Sequence, residues 1–199
     1  MAIELRLPGR TLSEDMLLAL SRENPGYRFE RSAVGKLVVS PTGLFTSGGE
    51  GELFTQVSLW VISSGIGRAF PPSAGFTLPD SSIVSPDTTY VTNERLESMT
   101  DEDCEPAYAR LVPNVVFELV SPSDDVREVE KKMYAYIANG VNVAVMIDPD
   151  TATVTIWRPR CERAVLTTPS VEVGPEMPGF KLDVAAVMRA AKRRPKDPA

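Results

Sequence analysis

PNVVFELVSPSDDVREVEKKMYAYIANG, residues Pro113–Gly140, reads as a buried strand, a tight turn and an amphipathic helix. Val115 to Val120 is apolar except for one carboxylate, Glu118. A charge in such a strand is costly unless a partner or a metal compensates it. The helix runs from about Asp125 to Ala138 and is closed by Asn139-Gly140. At about 100° per residue, Val126, Val129, Met133, Tyr136 and Ile137 share one arc, and Lys131 points away from it. Lys132 stands at the edge of the arc, from where its long side chain can reach along the sheet. Glu118 lies roughly 10 Å before the strand end and Lys132 roughly 10 Å into the helix, so a helix folded back over its strand brings them level. The spacing describes a structural salt bridge as well as a catalytic pair.

Working outward, the flanking segments predict a mixed sheet with helices laid against it, an α/β (mixed α+β) fold. Thr11-Leu-Ser-Glu14 is a capping-box pattern ahead of a first helix that stops at Asn24-Pro25-Gly26. Tyr27–Glu30 and Lys36–Ser40 form a hairpin around Gly35, and a second helix runs from about Glu50 to Ile62 after Gly48-Gly49. Short strands follow at Gly67–Phe70, Phe76–Leu78, Ile83-Val84 and Thr88–Val91. Asn93–Leu111 is polar and irregular, with a short helix at Glu94–Met99, and reads as a surface excursion or an active-site flap. After the central unit come a strand at Val143–Ile147, a hairpin of Thr153–Trp157 with Ala164–Thr167, a strand at Phe180–Leu182 and a helix at Val184–Ala190. We expect one domain over residues 1–190, with extra hairpins at both ends, and a basic flexible tail over 191–199.

Composition narrows the chemistry. The chain has 199 residues, a net charge of −6 and no histidine. Without imidazole, Ser-His-Asp and Cys-His nucleophile systems and histidine-bound zinc are excluded. Hydrolytic chemistry would run on carboxylates, lysine and a hard metal ion. Cys104 sits among Asp101, Glu102, Asp103 and Glu105, with nothing near in sequence to favour its thiolate. Ser121 and Ser123 read as turn and cap residues. Cys104 and Cys161 predict neither a disulfide nor a zinc framework. No apolar run of about 18 residues predicts a membrane span, and no secretion signal opens the chain, so a cytoplasmic location is expected. The acidic balance argues against nonspecific coating of DNA.

Asp87 raises the value of the Glu118–Lys132 pair. It follows Ser85-Pro86 and opens a strand, and two carboxylates on neighbouring strands suit Mg²⁺ or Mn²⁺. Pro-Asp alone describes a turn equally well.

The order of these pieces resembles the Uma2-type family of the PD-(D/E)XK nuclease superfamily, a restriction-endonuclease-like fold. The matching segments are Ser40-Pro41-Thr42-Gly43, Glu52-Leu53, Gly75–Pro79, Ser85-Pro86-Asp87, Phe117–Ser123, Lys132–Tyr136, Asn139-Gly140-Val141 and Ile147-Asp148-Pro149. The resemblance implies a metal-dependent endonuclease acting on DNA, with Asp87 and Glu118 as metal ligands for Mg²⁺ or Mn²⁺ and Glu52 as the acid of the first core helix. The superfamily's lysine two residues after the acid is replaced here by Val120. In the Uma2 pattern a lysine on the next helix, by match Lys132, takes its place. Leu44–Gly51 departs from the family wording, which leaves Glu50 as the alternative helix acid. By analogy a homodimer is expected. Two other readings stay open: an inactive nuclease-fold module that binds DNA or protein, and a hydrolase of another phosphoester.

Overall fold

The computed structural model describes residues 3–5 and 12–192. In chain order they form β1 (Ile3–Leu5), α1 (Glu14–Glu23), β2 (Tyr27–Arg31), β3 (Leu37–Pro41), α2 (Leu44–Ser64) and β4 (Gly67–Phe70). Next come β5 (Phe76–Thr77), β6 (Ile83–Val84), β7 (Thr88–Thr92), α3 (Asn93–Glu97), α4 (Asp101–Cys104), β8 (Val115–Leu119) and α5 (Val126–Ala138). The chain ends in β9 (Val143–Asp148), β10 (Thr153–Trp157), β11 (Ala164–Leu166), β12 (Ser170–Glu172), β13 (Lys181–Asp183) and α6 (Val184–Ala191).

Three sheets result. The central one has six strands in the order β11-β10-β9-β8-β7-β4, with β8 and β9 parallel and the other pairs antiparallel. A five-stranded sheet runs β1-β3-β2-β6-β5, and β12 pairs with β13. The parallel pair follows from the long helical crossover α5, since a parallel return cannot be made by a tight turn. The expected mixed sheet with flanking helices is the one observed.

Strand alternation sorts the core. On β8, Val115, Phe117 and Leu119 join the cluster formed with Leu53 and Val57 of α2 and Val184 and Val187 of α6. Val116 and Val120 face the other way, into the cluster with Met133 and Tyr136 of α5. A third cluster, Leu12, Leu17, Phe29, Leu37, Ile83 and Tyr108, packs α1 on the five-stranded sheet.

Two expectations are corrected. The second helix starts at Leu44, not near Glu50. Gly48-Gly49 is part of it, because a side chain at Gly49 would put Cβ 2.5 Å from Leu119 Cδ2 and 2.8 Å from Ala191 Cβ. These glycines permit close packing rather than a break. The first helix is capped by Ser13, whose hydroxyl accepts from the Met16 N–H at 3.2 Å; Thr11 lies outside the described residues. The short helix expected at Glu94–Met99 is α3, a second one, α4, follows it, and Arg95 ties the segment down by donating to Val112 O, Pro113 O and Asn142 Oδ1. Most of the basic tail, residues 193–199, lies outside the described residues. Among the described residues no helix is long and apolar enough to cross a membrane.

Candidate active site

β8 carries Glu118 on the face that packs against α5. The carboxyl is buried, and its Oε1 accepts from the Tyr136 hydroxyl at 2.6 Å and pairs with Lys132 Nζ at 2.9 Å. Tyr136 and Lys132 lie four residues apart on α5, so both reach the same point from one helix face. The side chain of Lys131 is 72% exposed and pairs with Glu128.

Strand register brings in Asp87. In the antiparallel β7–β8 pair Thr88 stands opposite Phe117, which sets the residue before Thr88 beside the residue after Phe117. Asp87 is buried, and its Oδ2 accepts the Leu119 N–H at 2.7 Å. Asp87, Glu118 and Lys132 all line one cavity of about 120 Å³.

The opposite wall comes from β2, in the five-stranded sheet. Phe29 points into the α1 cluster, so its neighbours Arg28 and Glu30 point into the cavity. Arg28 Nη1 donates to Asp87 Oδ1 at 2.5 Å and Nη2 to Glu50 Oε1 at 3.2 Å. Glu30 accepts from Lys132 Nζ on both oxygens, at 3.0 and 3.1 Å, and from the Ser85 N–H at 2.6 Å. Glu30 therefore ties the lysine to the Ser85-Pro86-Asp87 turn.

The helix acid at the cavity is Glu50. Glu52 does not line it and instead accepts from Gln56 Nε2 at 2.9 Å. The two positions sit about 200° apart on the helix, and the early start of α2 turns Glu50 inward. Arg28 and Glu30 were not singled out by sequence. A charge alternating with Phe29 was the available signal, but their partners lie 59 and 102 positions away. No residue of the proposed flap, Asn93–Leu111, lines the cavity.

A family model for Uma2, described as "Putative restriction endonuclease", matches residues 14–185. The chain belongs to the Uma2 family. A solved structure similar to this chain is a "putative nuclease belonging to DUF820" from Anabaena variabilis, at 20% identity and a TM-score of 0.71, over 90% of this chain and 99% of that one. At that identity it shows the fold. A DrdV–DNA complex aligns with 76% of this chain and 14% of its own at 11% identity, with a TM-score of 0.37, too low to carry an argument. No match was found among curated proteins. Family and fold together support a restriction-endonuclease-like nuclease, a class that generally uses divalent metal ions.

The charge balance of this Uma2 cavity is uneven. Its lining includes six carboxyl groups, Glu30, Glu50, Asp87, Glu118, Asp124 and Glu128, against two cations, Arg28 and Lys132. Burial, with the charge of Asp87, pushes the Glu50 carboxyl up to about 7, although Arg28 opposes the shift. Burial pushes Glu118 up to about 7 as well, with Asp87 and Glu30 adding to the rise and Lys132 opposing it. Burial works against the Lys132 ammonium, but the charges of Glu118 and Glu30 outweigh it and hold its pKa above the usual lysine value.

A stability prediction follows. Both carboxyls have a folded-state pKa above the unfolded value, so their protonated forms favour the fold. That contribution is complete below about pH 4.5 and is lost as pH rises through about 7. The chain has no histidine to titrate in this window. Thermal melts of metal-free protein should show the midpoint falling from pH 5 to pH 8, on the order of 3 kcal/mol for one carboxyl. Glu118→Gln should flatten that slope; an unchanged slope would refute the assignment.

Among the described residues no three carboxylates converge on a ready-made metal cage. The guanidinium of Arg28 joins Asp87 to Glu50, and Lys132 takes Glu118. Mg²⁺, however, commonly takes one or two carboxylates and completes its shell with water and substrate phosphate. The hard oxygen donors and the surplus negative charge fit that mode, with Asp87 and Glu118 as the donors and Glu50 within the same cavity.

Proposed function

We propose that the chain is a metal-dependent endonuclease that hydrolyses phosphodiester bonds in DNA with Mg²⁺ or Mn²⁺. The observation that carries this reading is the meeting of Asp87 and Glu118, from adjacent strands, with Lys132 on the Glu118 carboxylate in one negatively charged cavity. Asp87 and Glu118 hold the ion, and Glu50 is the third carboxylate. A bound divalent ion supplies charge neutralisation at the phosphate and acidifies water. Lys132 stays protonated at neutral pH, so it acts as a donor toward the developing phosphorane charge and not as the base. Glu30 and Tyr136 fix the lysine and carboxylate that do this. Arg28 and the buried Leu119 N–H orient Asp87.

Wild-type protein should relax supercoiled plasmid in Mg²⁺ or Mn²⁺ and be silent in EDTA. A second reading, an inactive nuclease-fold module, is favoured by the closed ion-pair network, in which Asp87 and Glu118 already have cationic partners. Mn²⁺ titration separates the two: a metal site raises the melting temperature as Mn²⁺ is added, and the inert module leaves it flat.

A further inference from the structure

We propose that Arg28 is a substrate-binding residue that exchanges partners: it neutralises Asp87 and Glu50 in the metal-free chain and turns onto a phosphate oxygen of the bound strand once a divalent ion claims those carboxylates. The proposal rests on the endonuclease reading.

Two cations line the cavity, and they are held differently. Lys132 is clasped by both oxygens of Glu30 as well as by Glu118. Glu30 also takes the Ser85 N–H, so that clasp is part of the strand packing. The two cavity partners of Arg28 are Asp87 and Glu50, the carboxylates a metal would use. A divalent charge beside Asp87 repels the guanidinium at short range and weakens both of its contacts. The Arg28 side chain is 18% exposed and borders the open space of the cavity, which gives the guanidinium room to change partners. Its planar fork matches two oxygens of a phosphate as well as it matches carboxylates. In a cavity whose carboxylates outnumber its cations, a released guanidinium adds to Lys132 a second cation able to draw a phosphodiester inward.

The test compares wild type, Arg28→Gln and Arg28→Lys. Calorimetric titration with Mn²⁺ alone should show Arg28→Gln binding roughly tenfold tighter than wild type, with Arg28→Lys between them, because a competing cation has been removed. A role confined to stability would lower the melting temperature without tightening the metal. Anisotropy of a short labelled duplex in Ca²⁺ should show Arg28→Gln binding roughly tenfold weaker. Equal Mn²⁺ affinity in all three proteins overturns the exchange and leaves the metal site standing. No Mn²⁺ binding by any of them overturns both readings. Should Arg28→Gln fail to fold, side-chain NMR of wild type decides. Addition of Mg²⁺ should shift the Arg28 Nε–Hε signal together with the Leu119 amide that reports on Asp87, and a Leu119 shift without an Arg28 shift overturns the proposal.

Discussion

Asp87→Asn should reduce metal-dependent cleavage by roughly a thousandfold or more, about 4 kcal/mol of barrier, while the protein stays folded. The substitution keeps the shape of the side chain and an oxygen able to accept the Leu119 N–H, which Asp87 takes at 2.7 Å. It removes the charge that holds the ion and faces Arg28. Arg28 retains Glu50 at 3.2 Å, so the guanidinium is not left buried alone and the thermal midpoint should move far less than activity does. The measurement is the initial rate of plasmid nicking in Mg²⁺ beside a melting curve. Wild-type rates from Asp87→Asn would remove Asp87 from the reaction and the endonuclease proposal with it.

The second large effect is on stability. Lys132→Met should destabilise the metal-free protein by about 3–5 kcal/mol at pH 8, the cost of stripping the partner from a buried ion pair. At this chain length that amounts to a drop of roughly 10 °C in the melting midpoint. Two carboxylates lose their counter-charge at once, Glu30 and Glu118, whose side chains are 10% and 8% exposed. Lowering the pH to 5 should restore part of the loss, because burial already pushes Glu118 up to about 7 against the pull of Lys132, and without that lysine the carboxyl takes a proton more readily still. A midpoint unchanged from wild type at pH 8 would mean that water solvates both carboxylates and that the lysine does not organise the site.

The strand–turn–helix unit around Glu118 was legible because its cues agree. An apolar run and a closing Asn139-Gly140 mark the boundaries, although the cap is Asp125 and not Ser123. Lys132 could be distinguished from Lys131 by helical geometry alone. Gly48-Gly49 misled because a glycine pair carries the same local signature whether it ends a helix or lets another element come close; the contact with Leu119 and Ala191 that decides the matter is tertiary. That misreading hid the inward position of Glu50. Ser170–Glu172 was missed as a strand, being three residues paired with the distant Lys181–Asp183. Arg28 and Glu30 escaped because their partners are on other elements, and a short hairpin strand with charges on one face reads as solvated until the wall opposite is known.

The cavity lies on the seam between two sheets, with Arg28 and Glu30 on one side and Asp87 and Glu118 on the other. Its closing contacts span 59 and 102 positions of chain. Contacts of such separation form after local hairpins and helices, since loop-closure entropy must first be overcome. During synthesis the hairpin bearing Arg28 and Glu30 is complete long before Lys132 leaves the ribosome. A growing polypeptide therefore carries Glu30 and Glu118 without their lysine until the helix Val126–Ala138 docks.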